Sequence, residues 1–302
     1  MSSSPKNYFG LSSDYAAREE ARVAIVPVPY EGGGGVHSGG KDGPRAILEA
    51  SQHVELFDDE LWTEPFKIGI HTADAVKIQA VDNQSKDPYG ELVEAIKPFI
   101  DGNKFPIIIG GEHSISLGGV KGCIDKFADL SVLQINAHCD LRASYEGNEF
   151  GHASTGHQIY KALPRPLITQ VGVRNISWEE VAWMEEEEPD INIFWARNQN
   201  KWDCNEIINT LSDNIYLSIN VNAFDCSIMP ATANPEPGGI DWYQMMELIK
   251  LACVRKNVVC ADVTDLSPIK GMVAPNFVAA KLIYKLIGYR FALDLGVTKK
   301  YL

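Results

Sequence analysis

Short runs rich in Val and Ile alternate along the whole chain with stretches whose apolar residues recur at helical spacing. Strand-like runs fall at residues 23–28, 67–71, 105–109, 131–136, 167–173, 191–194, 215–221 and 257–263. Between them, helical patterns cover 44–57, 88–99, 116–127, 155–162, 177–187, 204–211, 242–255 and 276–287. Apolar strands that each precede a helix are the pattern of βα units, which predicts an α/β fold with a mostly parallel, eight-stranded sheet. No linker, repeat or low-complexity tract divides the chain, so a single domain over 1–302 is expected. The acidic run 185–188 reads as a solvated helix end.

Composition narrows the function classes. The 302 residues hold 45% hydrophobic and 22% charged side chains, the balance of a globular protein with a large core. Asp and Glu number 40 against 27 Lys and Arg, a net charge of -13. That excess argues against nucleic-acid partners and anionic membrane surfaces, and is compatible with small cationic ligands. No apolar run has a membrane-spanning length and no secretory signal is evident at the start. The six cysteines are scattered without a CxxC pair, as in a reduced compartment, so a cytoplasmic location is expected.

A Gly-rich stretch at 30–40 follows the first strand, but it lacks the spacing and the Lys-Ser/Thr pair of a phosphate loop. It reads as a rim loop. Ligands of open parallel sheets bind beyond the carboxyl ends of the strands, and polar side chains collect there. After the third strand stands Gly110-Gly-Glu-His113-Ser114, and after the fourth Asn136-Ala-His138-Cys-Asp140. The seventh carries Ser218-Ile-Asn220-Val-Asn222, and the eighth runs into Asp262-Val-Thr-Asp265. Strand alternation would send Asn136, His138 and Asp140 to one side, and likewise Asn220 and Asn222. With His113 these make six converging candidates, a donor set typical of Mn, Zn or Ni. His37, His53, His71 and His157 have no partner set in the sequence, and Cys139 and Cys226 read as buried structural thiols.

These motifs resemble those of the ureohydrolase family of arginase, agmatinase and their relatives, nearly from end to end. G-G-[DE]-H-S is intact at 110–114. D-A-H-x-D-L-R stands as Asn136-Ala-His-Cys-Asp-Leu-Arg142, and the third motif as Ser218-Ile-Asn-Val-Asn-Ala-Phe-Asp225 with Pro230–Gly239 downstream. Among the branches the likeness is greatest to agmatinase, through Gly147-Asn-Glu-Phe-Gly-His152-Ala153 and Trp242-Tyr243. The resemblance implies a three-layer α/β/α arginase-like fold, release of urea from a guanidino compound, and a trimer or hexamer.

It also implies two manganese ions at the positions of His113, Asn136, His138, Asp140, Asn220 and Asn222. His152 matches the proton-shuttling His, and Asp265 stands where the family has a Glu that takes the guanidinium. Three of the four expected carboxylate ligands are therefore Asn. A carboxamide bridges metals poorly and carries no charge, so the loss in metal affinity is expected to reach roughly 10³-fold or more. The expectation is a degenerate, weakly active or inactive protein with metal absent or reduced to one ion. Such a pseudoenzyme would be a ligand-binding or regulatory subunit, alone or assembled with an active relative. The alternatives are an active metal-dependent guanidino hydrolase and a purely structural oligomer. For the cleft itself, one possibility is a polar pocket whose Asn amides satisfy one another.

Overall fold

The computed structural model describes residues 7–32, 38–79, 86–298 and 300. Within them the chain forms β1 (Val23–Val28), β2 (Ile70–Thr72), β3 (Phe105–Gly110), β4 (Ser131–Ile135), β5 (Ile168–Val173), β6 (Ile191–Trp195), β7 (Asn214–Asn220) and β8 (Asn257–Thr264). The helices are α1 (Ser13–Ala16), α2 (Gly43–Ser51), α3 (Gly90–Asp101), α4 (Ser116–Ile124), α5 (Thr155–Ala162), α6 (Trp178–Glu187), α7 (Cys204–Asn209), α8 (Trp242–Arg255) and α9 (Ala274–Arg290). One eight-stranded sheet results, in the order β2-β1-β3-β8-β7-β4-β5-β6. All seven strand pairings are parallel.

Parallel strands are buried on both faces, and alternation along each strand divides the core in two. Ile25, Ile107, Ile109, Leu133, Leu217 and Ile219 face α2, α7, α8 and α9. Ala24, Val26, Ile108, Val132 and Tyr216 face α3, α4 and α5. The three-layer expectation therefore holds. At the far edge β6 is only half-buried, and α6 packs there through Trp183 and Met184.

Several predicted boundaries shift for local reasons. The run at 67–71 is a 3-10 turn over Pro65–Ile68 followed by a short strand from Ile70. Gly69 separates them at φ 82, and a Cβ there would meet the backbone of Ala21 at 2.8 Å. The helix expected over 44–57 ends at Ser51. Beyond it Asp58 turns the chain, its Oδ1 accepting the amides of Glu60 and Leu61. Helix α9 is longer than expected, starting at Ala274 with Pro275 in its first turn. The Gly-rich loop falls partly outside the described residues, at 33–37, and the run at 185–188 is exposed as expected.

The turn at Asp58 is locked to α9. Lys285, 5% exposed, bonds Asp58 Oδ1 at 3.0 Å and Glu60 Oε2 at 3.1 Å, and Tyr289 donates to Glu60 at 2.5 Å. Removing one member of a buried ion pair leaves its partner's charge uncompensated. Lys285→Met is therefore expected to lower stability by about 3–5 kcal/mol, read from the midpoint of urea unfolding at unchanged slope.

Candidate functional site

The strands β3, β8, β7 and β4 are neighbours at the centre of the sheet, and each ends in one part of the polar cluster. Above them lies a cavity of 540 Å³, within the size range of small-molecule sites. His113, His138, Asp140, His152, Asn220, Asn222 and Asp265 line it. Asn136 lies fully buried, bonded to Asp140. All eight candidates thus come together, although strand alternation is not what aims them. β4 ends at Ile135, Asn222 sits in a 3-10 turn, and Asp140 and Asp265 take left-handed backbone at φ 54 and φ 69. Aspartate tolerates that conformation better than most residues, and its use at both cleft carboxylates aims them inward. Gly111 allows the close packing beside them, since a Cβ there would lie 2.1 Å from the carbonyl oxygen of Tyr30.

His113 is the hub. Its backbone N–H donates to Asp265 Oδ1 at 3.1 Å, and its ring Nδ1 to Asp140 Oδ2 at 2.8 Å. Nε2 lies 3.2 Å from the Ser218 hydroxyl. That hydroxyl donates to Asp262 Oδ1 at 3.0 Å, so it accepts from Nε2–H. Asp262 is fully buried on β8, paired in register with Ser218, and also receives the Tyr216 hydroxyl at 2.7 Å. Burial alone would depress the His113 pKa, but the bond and charge of Asp140, backed by Asp265 and Asp262, hold it above the ordinary value. Burial pushes the other way on Asp140, where His113 wins and keeps the carboxyl below its usual range. Asp262, Asp265 and Glu112 are all raised, chiefly by burial.

Backbone amides fix which way each carboxamide points. Asn136 Oδ1 accepts from His138 N, Asn220 Oδ1 from Asn222 N, and Asn222 Oδ1 from Ala137 N, at 3.2, 2.9 and 3.0 Å. The NH₂ ends are therefore left to donate to other side chains of the site. Asn136 Nδ2 donates to Asp140 Oδ2 at 2.7 Å, Asn220 Nδ2 to Asp265 Oδ2 at 2.6 Å, and Asn222 Nδ2 to His138 Nδ1 at 3.2 Å. His138 must then carry its proton on Nε2, which lies 3.7 Å from Glu236 Oε1. The amides do not pair with one another side chain to side chain, contrary to one sequence-based possibility. Among the described residues no group of three or more His, Cys, Asp or Glu is arranged to hold a metal ion.

The rim comes from three segments. His152 opens the 3-10 turn before α5 and stands edge-on to Tyr145, whose other neighbour is the Arg142 guanidinium at 4.8 Å. Glu112 accepts from Gly32 N and the Ser114 hydroxyl, tying the end of β1 to the cleft. Arg174 donates to the carbonyls of Gly172, Asn222, Ala223, Phe224, Glu236 and Pro237, which holds the 236–237 segment against β7. Glu236 in turn accepts from Asn175 at 2.5 Å.

With this geometry in place, comparison with known proteins gives a consistent result. The Arginase family pattern matches residues 21–288. The chain belongs to the arginase family. An N(1)-aminopropylagmatine ureohydrolase of Synechocystis is 34% identical to it, over 96% of this chain and 95% of that protein. An agmatinase of Pyrococcus horikoshii is 31% identical, over 89% and 92%. Among solved structures, the agmatine ureohydrolase of Thermoplasma volcanium superposes with a TM-score of 0.79 at 22% identity, over 97% and 96%. Formiminoglutamase of Trypanosoma cruzi, solved with Mn²⁺, gives 0.81 at 19% identity, over 95% and 98%. Both confirm the arginase-like α/β fold.

Ser218, Tyr216 and Asp262 behind His113, and the Arg174–Glu236 clamp, were not assigned from the sequence. A signal existed for the first group, because a Ser and an Asp interrupt otherwise apolar strands. His157, which has no partner set in the sequence, is buried on α5 against Trp183, and Cys226 is half-buried rather than buried. Arg174→Lys keeps one donor group and loses the fork that reaches six carbonyls. It is expected to destabilise the protein by about 2 kcal/mol in denaturant titration and to speed hydrogen exchange at Gly238 and Gly239.

Proposed function

We propose that this agmatinase-like member of the ureohydrolases has lost the two-manganese centre of its relatives. Residues 136, 220 and 222 are read as positions where those relatives carry metal-binding Asp. On this reading urea release is weak or absent, and the retained cleft binds a small organic molecule in a ligand-binding or regulatory subunit. Assembly as a trimer or hexamer, with itself or with an active relative, belongs to the same proposal.

The observation that carries it is the direction of the three carboxamides. Each oxygen is engaged by a backbone N–H, and each NH₂, which has no lone pair to offer a metal, donates to a side chain of the site. Both nitrogens of His113 are engaged, and His138 offers an N–H. Asp140 Oδ1 receives no hydrogen bond among the described residues. A transition-metal or manganese site takes four to six donors, so this set does not fit a binuclear centre. The chain's own groups can bind and orient: Asp140 and Asp265 present negative charge at the cavity floor, and His152 stands at its wall.

The first measurement is metal content after dialysis against Mn²⁺ and removal of free ion, with urea release from agmatine assayed in parallel. Well under one ion per chain and negligible urea are expected. Tightly held metal with measurable turnover would establish an active hydrolase instead. Restoring Asp together at 136, 220 and 222 is expected to raise Mn²⁺ affinity by roughly 10³-fold or more, measured by competition with a chelating dye.

A further inference from the structure

We propose that a second pocket, at the amino ends of β1, β3 and β8, binds inorganic phosphate. It lies at the opposite end of these strands from the cleft and does not depend on the reading above. The pocket encloses 160 Å³, well below the roughly 300–1,000 Å³ of organic-ligand sites, so its occupant is of the size of an ion. Arg22, Lys104, Lys126 and Arg290 line it, and no Asp or Glu does. In a chain of net charge -13 such a wall is a local reversal of sign, and a concave site of one sign concentrates counter-ions.

The two lysines have structural partners. Lys104 Nζ donates to the carbonyls of Arg18, Glu19 and Ala21, and Lys126 Nζ to those of Ile100 and Asp101 and to Asn103 Oδ1. Those acceptors are neutral, so both positive charges remain. The arginines differ. Arg290 ends α9 half-buried, and its Nε donates to Val258 O at 2.9 Å and its Nη2 to Asn257 Oδ1 at 3.0 Å. Its Nη1 has no acceptor among the described residues. Arg22 meets one carboxylate, Asp294 at 2.9 Å, in a pair with side chains 47% and 42% exposed, and such surface pairs are worth little. Both guanidinium groups stand over the Phe291 ring, at 4.8 and 5.2 Å. Two like charges are thus held against one ring, and burial, with Arg22 adding to it, depresses the Arg290 pKa. A buried charge is ordinarily paired with an opposite one. An oxyanion between Arg290 Nη1 and Arg22 supplies that partner, and phosphate suits the paired N–H groups of a guanidinium.

The test is calorimetric titration of the full chain with sodium phosphate in a buffer free of other polyvalent anions. One phosphate per chain is expected, and Arg290→Gln and Arg22→Gln should each weaken it at least about tenfold by removing a charge-assisted bond. Arg165→Gln, which alters an exposed cation outside the pocket, should leave binding unchanged. Circular dichroism checks that Arg290→Gln folds; if it does not, the exposed Arg22 decides alone. Acetate should bind at least about tenfold more weakly, having fewer oxygens and less charge to share between two guanidiniums. Glycerol phosphate should bind no tighter than the free ion, because Ile100, Phe127 and Val259 in the lining offer its hydroxyls nothing. Failure to bind, or equal binding by wild type and the arginine variants, overturns the proposal. Loss of binding in Arg142→Gln with Arg22→Gln unaffected puts the anion in the strand-end cleft and overturns it equally. Acetate binding as tightly as phosphate, or glycerol phosphate binding tighter, overturns inorganic phosphate as the occupant.

Discussion

His113 sits where four strand ends meet, with 1% of its surface exposed, so neither ring nitrogen can turn to water. A buried imidazole in that position needs a partner on each side, and a buried group left unpaired costs about 1–3 kcal/mol. The protein meets the demand with Asp140 on one side and the Ser218–Asp262 pair on the other. Each partner then makes its own demand. Asp140 takes left-handed backbone to reach the ring, and Asn136 shares its Oδ2. Asp262 is carried by β8 in register with Ser218, and Tyr216 satisfies its second oxygen from the same face of β7. A chain of hydrogen bonds thus crosses the four central strands, and the cavity floor is its upper edge.

The sheet beneath was largely legible in the sequence, because eight apolar runs followed by helical patterns leave few other architectures. The order of the strands was not, since it depends on long-range pairing that periodicity does not encode. Where a local residue opposes the pattern, the boundary moves: Gly69 at positive φ breaks one expected strand, and the Asp58 turn ends one expected helix early. In the cleft, residue types at strand ends named the right participants. They could not reveal that Asp140 and Asp265 take left-handed backbone, or how each carboxamide is turned. That direction is set by the N–H groups of residues 137, 138 and 222, and backbone positions of that kind leave no mark on composition or spacing.

Electrostatics gives the proposed Asp-to-Asn substitutions a common sense. On the proposed assignment, three Asp-to-Asn changes remove three negative charges from a place where two divalent ions would supply four positive ones. A cleft with all four carboxylates and no metal would hold unpaired negative charge in a buried site, which is strongly unfavourable. With Asn at three positions the remaining ligand carboxylate, Asp140, pairs with His113. The amides do more than dilute charge, because as donors they hold Asp140, Asp265 and His138 in place. On that assignment Asp140 acquires a hydrogen bond from Asn136 where a metal would have been its partner.

Such a replacement is compatible with the fold because the cleft bears little of the fold's weight. The two apolar cores lie on the faces of the sheet, and the Asp58–Lys285 lock ties α9 to its neighbouring loop well away from the cavity. Polar exchange at the strand ends therefore leaves the burial that stabilises the domain untouched. The constraint that remains is hydrogen-bonding satisfaction around His113, and any residue set meeting it can occupy the site. An amide set meets it through donors to Asp140, Asp265 and His138.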